Sequence, residues 1–295
     1  MASRGPRVWL IDAFVQIFRA YHSMPELSAP DGRPVGAFRG YSASLLRFLA
    51  RQEPTHVAVC WDHAMTSFRN RLYADYKQGR TEAPEDLAPQ IPLCARFTRA
   101  LGIPLFELED FEADDVIATL TRRLSAEGAR VAIVTTDKDL GALVSEHVSL
   151  FDPKREAHQG PEEVAAKFGV PPALVSDWLA LAGDAVDNIP GARGIGARTA
   201  AALLSHFGGI DQIPANFADW KDLPLRGAAR AHRALAESSA ALELSRQLAA
   251  LRYDLPLEPE LADLEYRGAL RAELEVLLEE TGATQLLARV TRFRD

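Results

Sequence analysis

Residues 7–12, RVWLID, are an apolar run that stops on a carboxylate, Asp12. Four hydrophobic residues with no polar alternation read as a strand buried on both faces. The pattern returns along the chain. Residues 56–62 (HVAVCWD) end on Asp62, and residues 130–136 (RVAIVTT) stop beside Asp137. Residues 103–108 and 148–151 read as two further strands. Between these runs, residues 14–21, 36–51, 87–101 and 112–126 read as helices. In the second of them Phe38, Tyr41, Leu45, Phe48 and Leu49 recur at helical spacing. Strands alternating with helices predict a mostly parallel sheet with helices on both faces. Ligands of such sheets bind beyond the carboxyl ends of the strands. Asp12, Asp62 and Asp137, far apart in sequence, are therefore expected at one edge.

Residues 111–117, FEADDVI, set Glu112, Asp114 and Asp115 at a helix start, followed by apolar Val116, Ile117, Leu120 and Leu124. Glu112 and Asp115 are three apart and share a face. Acids also suit a first helical turn through the helix dipole, so a plain charge pattern is the alternative. The cluster does not stand alone. With Asp12, Asp62, Asp137, Asp139, Asp184 and Asp187 it makes nine carboxylates at the ends of apolar runs or in tight turns. That is the pattern of a divalent-metal phosphoryl-transfer site. Hard oxygen ligands without His or Cys suit Mg²⁺.

The 295 residues, 47% of them hydrophobic, can bury a sizeable core. No run approaches the roughly eighteen apolar residues of a membrane span, and the N-terminus lacks a signal-peptide pattern. Cys60 and Cys94 fit no metal spacing and read as reduced thiols, so a cytoplasmic location is expected. The net charge of −8 looks wrong for a nucleic-acid binder. Removing nine metal ligands from 41 acids leaves 32 against 33 basic residues, a balance of +1. Net charge therefore decides little.

After Gly160 the strand pattern stops. Residues 161–168, 172–182, 197–207 and 225–250 read helical, and residues 268–293 as two more helices separated by Gly282. This predicts an α/β domain over 1–160, a helical domain over 161–260 and C-terminal helices over 261–295 that pack on the body. The segment 67–90 is unlike its surroundings, with Arg69, Arg71, Tyr73, Tyr76, Lys77 and Arg80 in a polar stretch. It reads either as a solvated loop or as a basic segment over the active face. Residues 183–200 read as helix, turn, helix, with Gly191, Gly194 and Gly196 in the turn. Glycines allow close backbone approach, and a helix N-terminus offers amides to phosphate. A helical hairpin with capping glycines is the alternative.

LIDAFVQIFRAYHSMP, VAVCWD, SFRNRLYADYKQGR, FEADDVIATL, TTDKDL and GDAVDNIPGARGIGARTA occur in this order. Together they resemble the 5′ nuclease domain of bacterial DNA polymerase I and the wider family of stand-alone 5′–3′ exonucleases and flap endonucleases. The resemblance runs from about residue 7 to about residue 255, and the chain reads as a free-standing member. It implies a PIN-like α/β fold followed by a helix-hairpin-helix domain. It implies two or more divalent ions, Mg²⁺ with Mn²⁺ as a substitute. Asp12, Asp62, Glu112, Asp114 and Asp115 resemble the ligands of the first ion. Asp137, Asp139, Asp184 and Asp187 resemble those of the second. Arg69, Tyr76, Lys77 and Arg80 match positions in and beside a mobile arch that grips the scissile phosphate. Arg69, Lys77, Arg80 and Asp115 are the expected catalytic residues. Arg19 and Tyr21 flank the entrance. Gly191, Arg193, Gly194, Gly196, Arg198 and Thr199 hold duplex DNA, with a monovalent cation at the hairpin. The chain departs from the pattern at Ala13 and Thr136, where glycines are usual, and at Arg198, where lysine is common. Lys138, between two acids, reads as an ordinary salt-bridging residue.

The expected activity is therefore metal-dependent hydrolysis of DNA from 5′ ends or 5′ flaps by a monomer, with no membrane and no named protein partner. A DNA end-binding protein without catalysis would be expected to lack ligands, and none of the nine is missing. An RNase with a related site is the other alternative, and it would not need the hairpin. A phosphatase of the LIDxD kind needs a second Asp where Phe14 stands.

Overall fold

The structure, a computed structural model, describes residues 5–78 and 83–294. The α/β region runs β1 (Arg7–Asp12), α1 (Ala13–Ser23), α2 (Gly36–Gln52), β2 (His56–Cys60), α3 (Phe68–Leu72), α4 (Ile91–Ala100), β3 (Leu105–Phe106), α5 (Ala113–Ala126), β4 (Arg130–Val134), β5 (Val148–Asp152) and β6 (Ala157–Gln159). The sheet order is β3-β2-β1-β4-β5-β6. Five strands are parallel, with Asp12 opposite Cys60 and Ile11 opposite Val134. The sixth, β6, pairs antiparallel on β5 at the edge. Its residues, Ala157, His158 and Gln159, carry no apolar run, which is why the sequence did not announce it. The third strand is shorter than its apolar stretch, because Leu105 and Phe106 are the residues that pair with β2.

Strand alternation builds two cores. Trp9, Ile11, Val57, Val59, Ala132 and Val134 face one apolar cluster with α1, α2 and α4. Val8, Leu10, Ala58, Cys60, Val131 and Ile133 face the other, with α5. Buried apolar area contributes about 25 cal/mol per Å², so a sheet covered on both faces is strongly held.

Helices follow: α6 (Pro161–Phe168), α7 (Val175–Ala182), α8 (Ala197–Phe207), α9 (Ala228–Glu237), α10 (Ser239–Ala249) and α11 (Arg271–Glu280). The second cluster continues from the sheet into α7 and α8 through Leu179, Leu181, Leu203 and Leu204. Leu274, Leu277 and Leu278 of α11 return to the first cluster. The helical stretch 225–250 is two helices, broken at Ser238, whose hydroxyl is turned to a loop amide. Beyond Gly282 the chain forms a 3-10 turn, Thr284–Arg289, in place of an expected helix. Among the described residues no helix is long and apolar enough to cross a membrane.

Candidate active site

A cavity of about 490 Å³ opens beyond the carboxyl ends of the strands, lined by Asp12, Asp62, Glu112, Asp114 and Asp137. Each acid arrives by a local rule. Asp12 ends β1 and caps α1, accepting from the Val15 amide at 3.3 Å while the Thr135 hydroxyl donates to its other oxygen at 2.9 Å. Asp62 follows β2 and accepts the Ala113 amide at 2.8 Å, one of the unpaired amides at the start of α5. Glu112 is the N-cap of α5, and Asp114 lies in its first turn. Asp137 follows β4 and accepts the Asp139 amide at 2.8 Å.

Crowding and burial set their charge. Burial, then Asp62 and Asp137, pushes the Asp12 carboxyl up to about 7. Burial likewise pushes Asp62 to about 6. Asp114 is raised well above the ordinary carboxylate range by burial and then by Asp137. Glu112 goes the other way. Burial alone would raise it, but Lys77 and then Arg69 hold it down at about 2. The Lys77 Nζ lies 2.6 Å from its Oε2, and Ser67 donates to its Oε1 at 2.6 Å.

The other expected ligands stand elsewhere. Asp115 is wholly buried. Its oxygens receive two Arg69 nitrogens at 2.7 and 2.8 Å and the Arg252 amide at 2.9 Å. Neither oxygen faces the cavity, so a direct ligand role for Asp115 does not fit this placement. Arg69 is 2% exposed and also donates to the carbonyls of Leu248 and Ala250. All its donors are directed inward, so it ties α3 to α5 and α10 and does not reach for DNA. Tyr76 is 4% exposed, with its hydroxyl 3.3 Å from Glu112, and offers no face for stacking on a base.

Lys138 bridges Asp139, at 3.0 Å, and Asp184, at 2.5 Å. Burial and then Asp137 raise Asp139 to about 6. Asp184 is lowered: burial would raise it, but the Lys138 hydrogen bond and charge, together with the Val186 and Asp187 amides, hold it down. Asp187 lies beside Lys77, at 3.8 Å. Arg19 packs toward α2, with a 3.3 Å contact to Ser44, and Tyr21 donates to Asp86 at 2.8 Å. Arg80 lies outside the described residues.

Five of the nine acids thus share the cavity. Among the described residues no three His, Cys, Asp or Glu side chains are arranged to hold an ion directly. Mg²⁺ takes one or two carboxylates and keeps several waters, so carboxylates spread around a roomy cavity still suit it. The raised carboxyl groups of Asp12, Asp62 and Asp114 point the same way. Asp12 is buried and Asp62 and Asp114 are half-buried, and among the described residues none of the three is ion-paired to a basic side chain, which is costly without a counter-ion.

The cavity also has a wall that the sequence reading missed, formed by Phe14, Phe18, His22, Met65 and Pro84. Phe14, Phe18 and His22 are each four apart on α1, and their rings follow one another at 6.2 and 6.5 Å. The spacing was the available signal.

In the hairpin, Gly183 and Gly191 (φ +72° and +67°) meet back to back, where a side chain would strike backbone at 2.5 to 2.6 Å. The Gly191 amide donates to Ser245 at 2.9 Å. Gly191 is buried and shapes the turn, and a direct DNA contact does not fit it. Gly194, Gly196, Arg193 and Arg198 are exposed, and Thr199 is half-buried.

Residues 7–169 match the N-terminal resolvase-like domain of 5′–3′ exonucleases, and residues 170–272 match their C-terminal SAM fold. A 5′–3′ exonuclease of Aquifex aeolicus is 35% identical over 287 residues, 97% of this chain and 96% of that protein. DNA polymerase I of Rhizobium leguminosarum is 39% identical over 300 residues, 99% of this chain, and the match spans 29% of that polymerase. A bacteriophage T5 flap endonuclease, solved with DNA and metal ions, superposes with a TM-score of 0.64 at 20% identity, over 94% of this chain and 99% of that one. At that identity the likeness is one of fold.

Proposed function

The chain belongs to the 5′–3′ exonuclease family, and from that premise we propose that it is a metal-dependent, structure-selective 5′ nuclease that hydrolyses DNA phosphodiesters. One observation carries the reading. Asp12, Asp62, Asp114 and Asp137, from four separated segments, surround one cavity with Glu112 and Lys77 at its side. Asp12, Asp62, Glu112, Asp114 and Asp137 would hold divalent cations, Mg²⁺ with Mn²⁺ as a substitute. Asp139, Asp184 and Asp187 would contribute through water or after Lys138 moves. Such cations supply an activated water and neutralise charge on the leaving 3′-oxygen.

The chain's own residues do the rest. Lys77 lines the cavity and can exchange Glu112 for a phosphate oxygen, stabilising charge that grows in the transition state. Arg80 is proposed for the same role. The Phe14–Phe18–His22 wall excludes water from one side of the acids. The turn from Arg193 to Thr199 would hold the duplex through its phosphates, reading no sequence, with a monovalent cation at the hairpin. Residues 1–160 would be the nuclease domain, 161–260 the duplex-holding domain and 261–295 a return onto the body. A monomer of the cytoplasm is the proposed setting, supported by two free, buried cysteines.

The test is incubation with 5′-flap, nicked and single-stranded DNA, in Mg²⁺ and in EDTA. Cleavage of 5′-ended or flapped DNA in Mg²⁺ alone is expected. Equal activity in EDTA, or none on any of the three, would sink the reading.

A further inference from the structure

Outside the acidic cavity, unneutralised positive charge gathers where α9 meets the turn before α8. Arg193 and Arg198 are exposed there, as are Arg230 and Arg233 on α9 and Arg226 just before it. Among the described residues none of the five has a side-chain ion pair or hydrogen bond. Nearby arginines differ. Arg246 is held by Asp211 at 2.8 Å and Arg252 by Asp254 at 2.9 Å. The folded chain thus neutralises those two and leaves the stripe open.

The two parts of the stripe are joined physically. The Arg193 amide donates to the hydroxyl of Ser238, the residue between α9 and α10, at 3.1 Å. A Cβ at Gly194 would lie 3.8 Å from that of Ala234. The turn therefore rests on the second half of α9. Arg230 stands one turn before Ala234, about 6 Å along the axis. Ala231 and Leu235 point inward, leaving Arg230 and Arg233, three apart, on one exposed face. Gly194, Gly196 and Ala197, which precede Arg198 in the turn, are exposed and carry no bulky side chain. Glu237, the one acid within α9, ends the helix beside Ser238, about 10 Å along the axis from Arg230.

We propose that α9 carries a second set of duplex phosphate contacts, made by Arg230 and Arg233 with Arg226 beside them, continuous with the hairpin. This rests on the reading of the chain as a DNA nuclease and names the surface along which it holds duplex. Arginines on an open, small-residue surface neutralise phosphates and carry no base reading, so the contact is independent of sequence.

The test uses the full chain, with Ca²⁺ in place of Mg²⁺, and measures binding of a flap substrate with long duplex arms over a salt series. Arg230→Ala/Arg233→Ala should lower the log Kd against log salt slope by about 2, from ~0.9 for each phosphate contact. Affinity at low salt should fall roughly tenfold, and thermal melts should match wild type. Arg230→Lys/Arg233→Lys should keep the slope. Shortening one duplex arm of the substrate should weaken wild-type binding and remove the difference between the proteins. An unchanged slope and affinity in the alanine variant would overturn the inference. A wild-type chain that binds no DNA would instead overturn the nuclease reading itself.

Discussion

Two sets of carboxylates, built from the same residue types in the same region, end in opposite states. Asp12, Asp62 and Asp114 face the cavity without a bound cation of the protein, and burial raises each of them. Glu112 and Asp184 are also buried, yet Lys77 and Lys138 hold them low. Asp115 is closed altogether by Arg69. The difference teaches that acid content does not make a metal site. What matters is which acids the fold leaves without a positive partner, since those gain most from an incoming cation.

The sharpest way to break the comparison is to neutralise one member of the open set. Asp12→Asn should slow single-turnover cleavage in Mg²⁺ by on the order of a thousandfold, roughly 4 kcal/mol of barrier. In EDTA at pH 8 the same variant should melt above wild type, because a strained charge is gone. Wild-type turnover would remove Asp12 from the site.

The closed set predicts the reverse. Asp115→Ala should destabilise the fold by about 3 kcal/mol or more, because the Arg69 guanidinium stays buried without its partner. A thermal or denaturant melt reads this directly. Arg71, two residues along α3, pairs with Asp110 on the surface. Arg71→Ala should leave the melt unchanged, and an equal loss from both variants would erase the distinction between buried and exposed pairs.

A smaller effect should follow pH. The folded carboxyl groups of Asp12 and Asp62, at about 7 and about 6, lie above their ordinary value of 3.8. A raised folded value means stability that is complete below the unfolded pKa and lost as pH climbs through the folded one. In EDTA the melting temperature should therefore fall between about pH 4 and pH 7. Mg²⁺ at a hundred times its Kd should restore ~2.7 kcal/mol near neutrality. A melt indifferent to both pH and Mg²⁺ would show that the cavity acids are not under charge strain.

Much of this was legible in the sequence because it is written locally. Apolar runs of strand length, helical spacing at residues 36–51 and 112–126, and acids at run ends each depend on near neighbours. Asp12, Asp62 and Asp137 could be placed at one edge because parallel strands present their carboxyl ends together. The β6 strand was hidden because an edge strand needs few apolar residues. The break at Ser238 was hidden because no Gly or Pro marks it, and the partner of its hydroxyl, the Arg193 amide, is 45 positions away.

The sequence by itself determined the two-face core, the order of the elements and which carboxylates could be near one another. Tertiary structure alone decided which of them are available. Arg69 reaches Asp115 across 46 positions and Lys77 reaches Glu112 across 35. A carboxylate's state depends on the charge within a few ångströms of it. That distance is set by how α3, α5 and α10 pack, and no local pattern of residues records it.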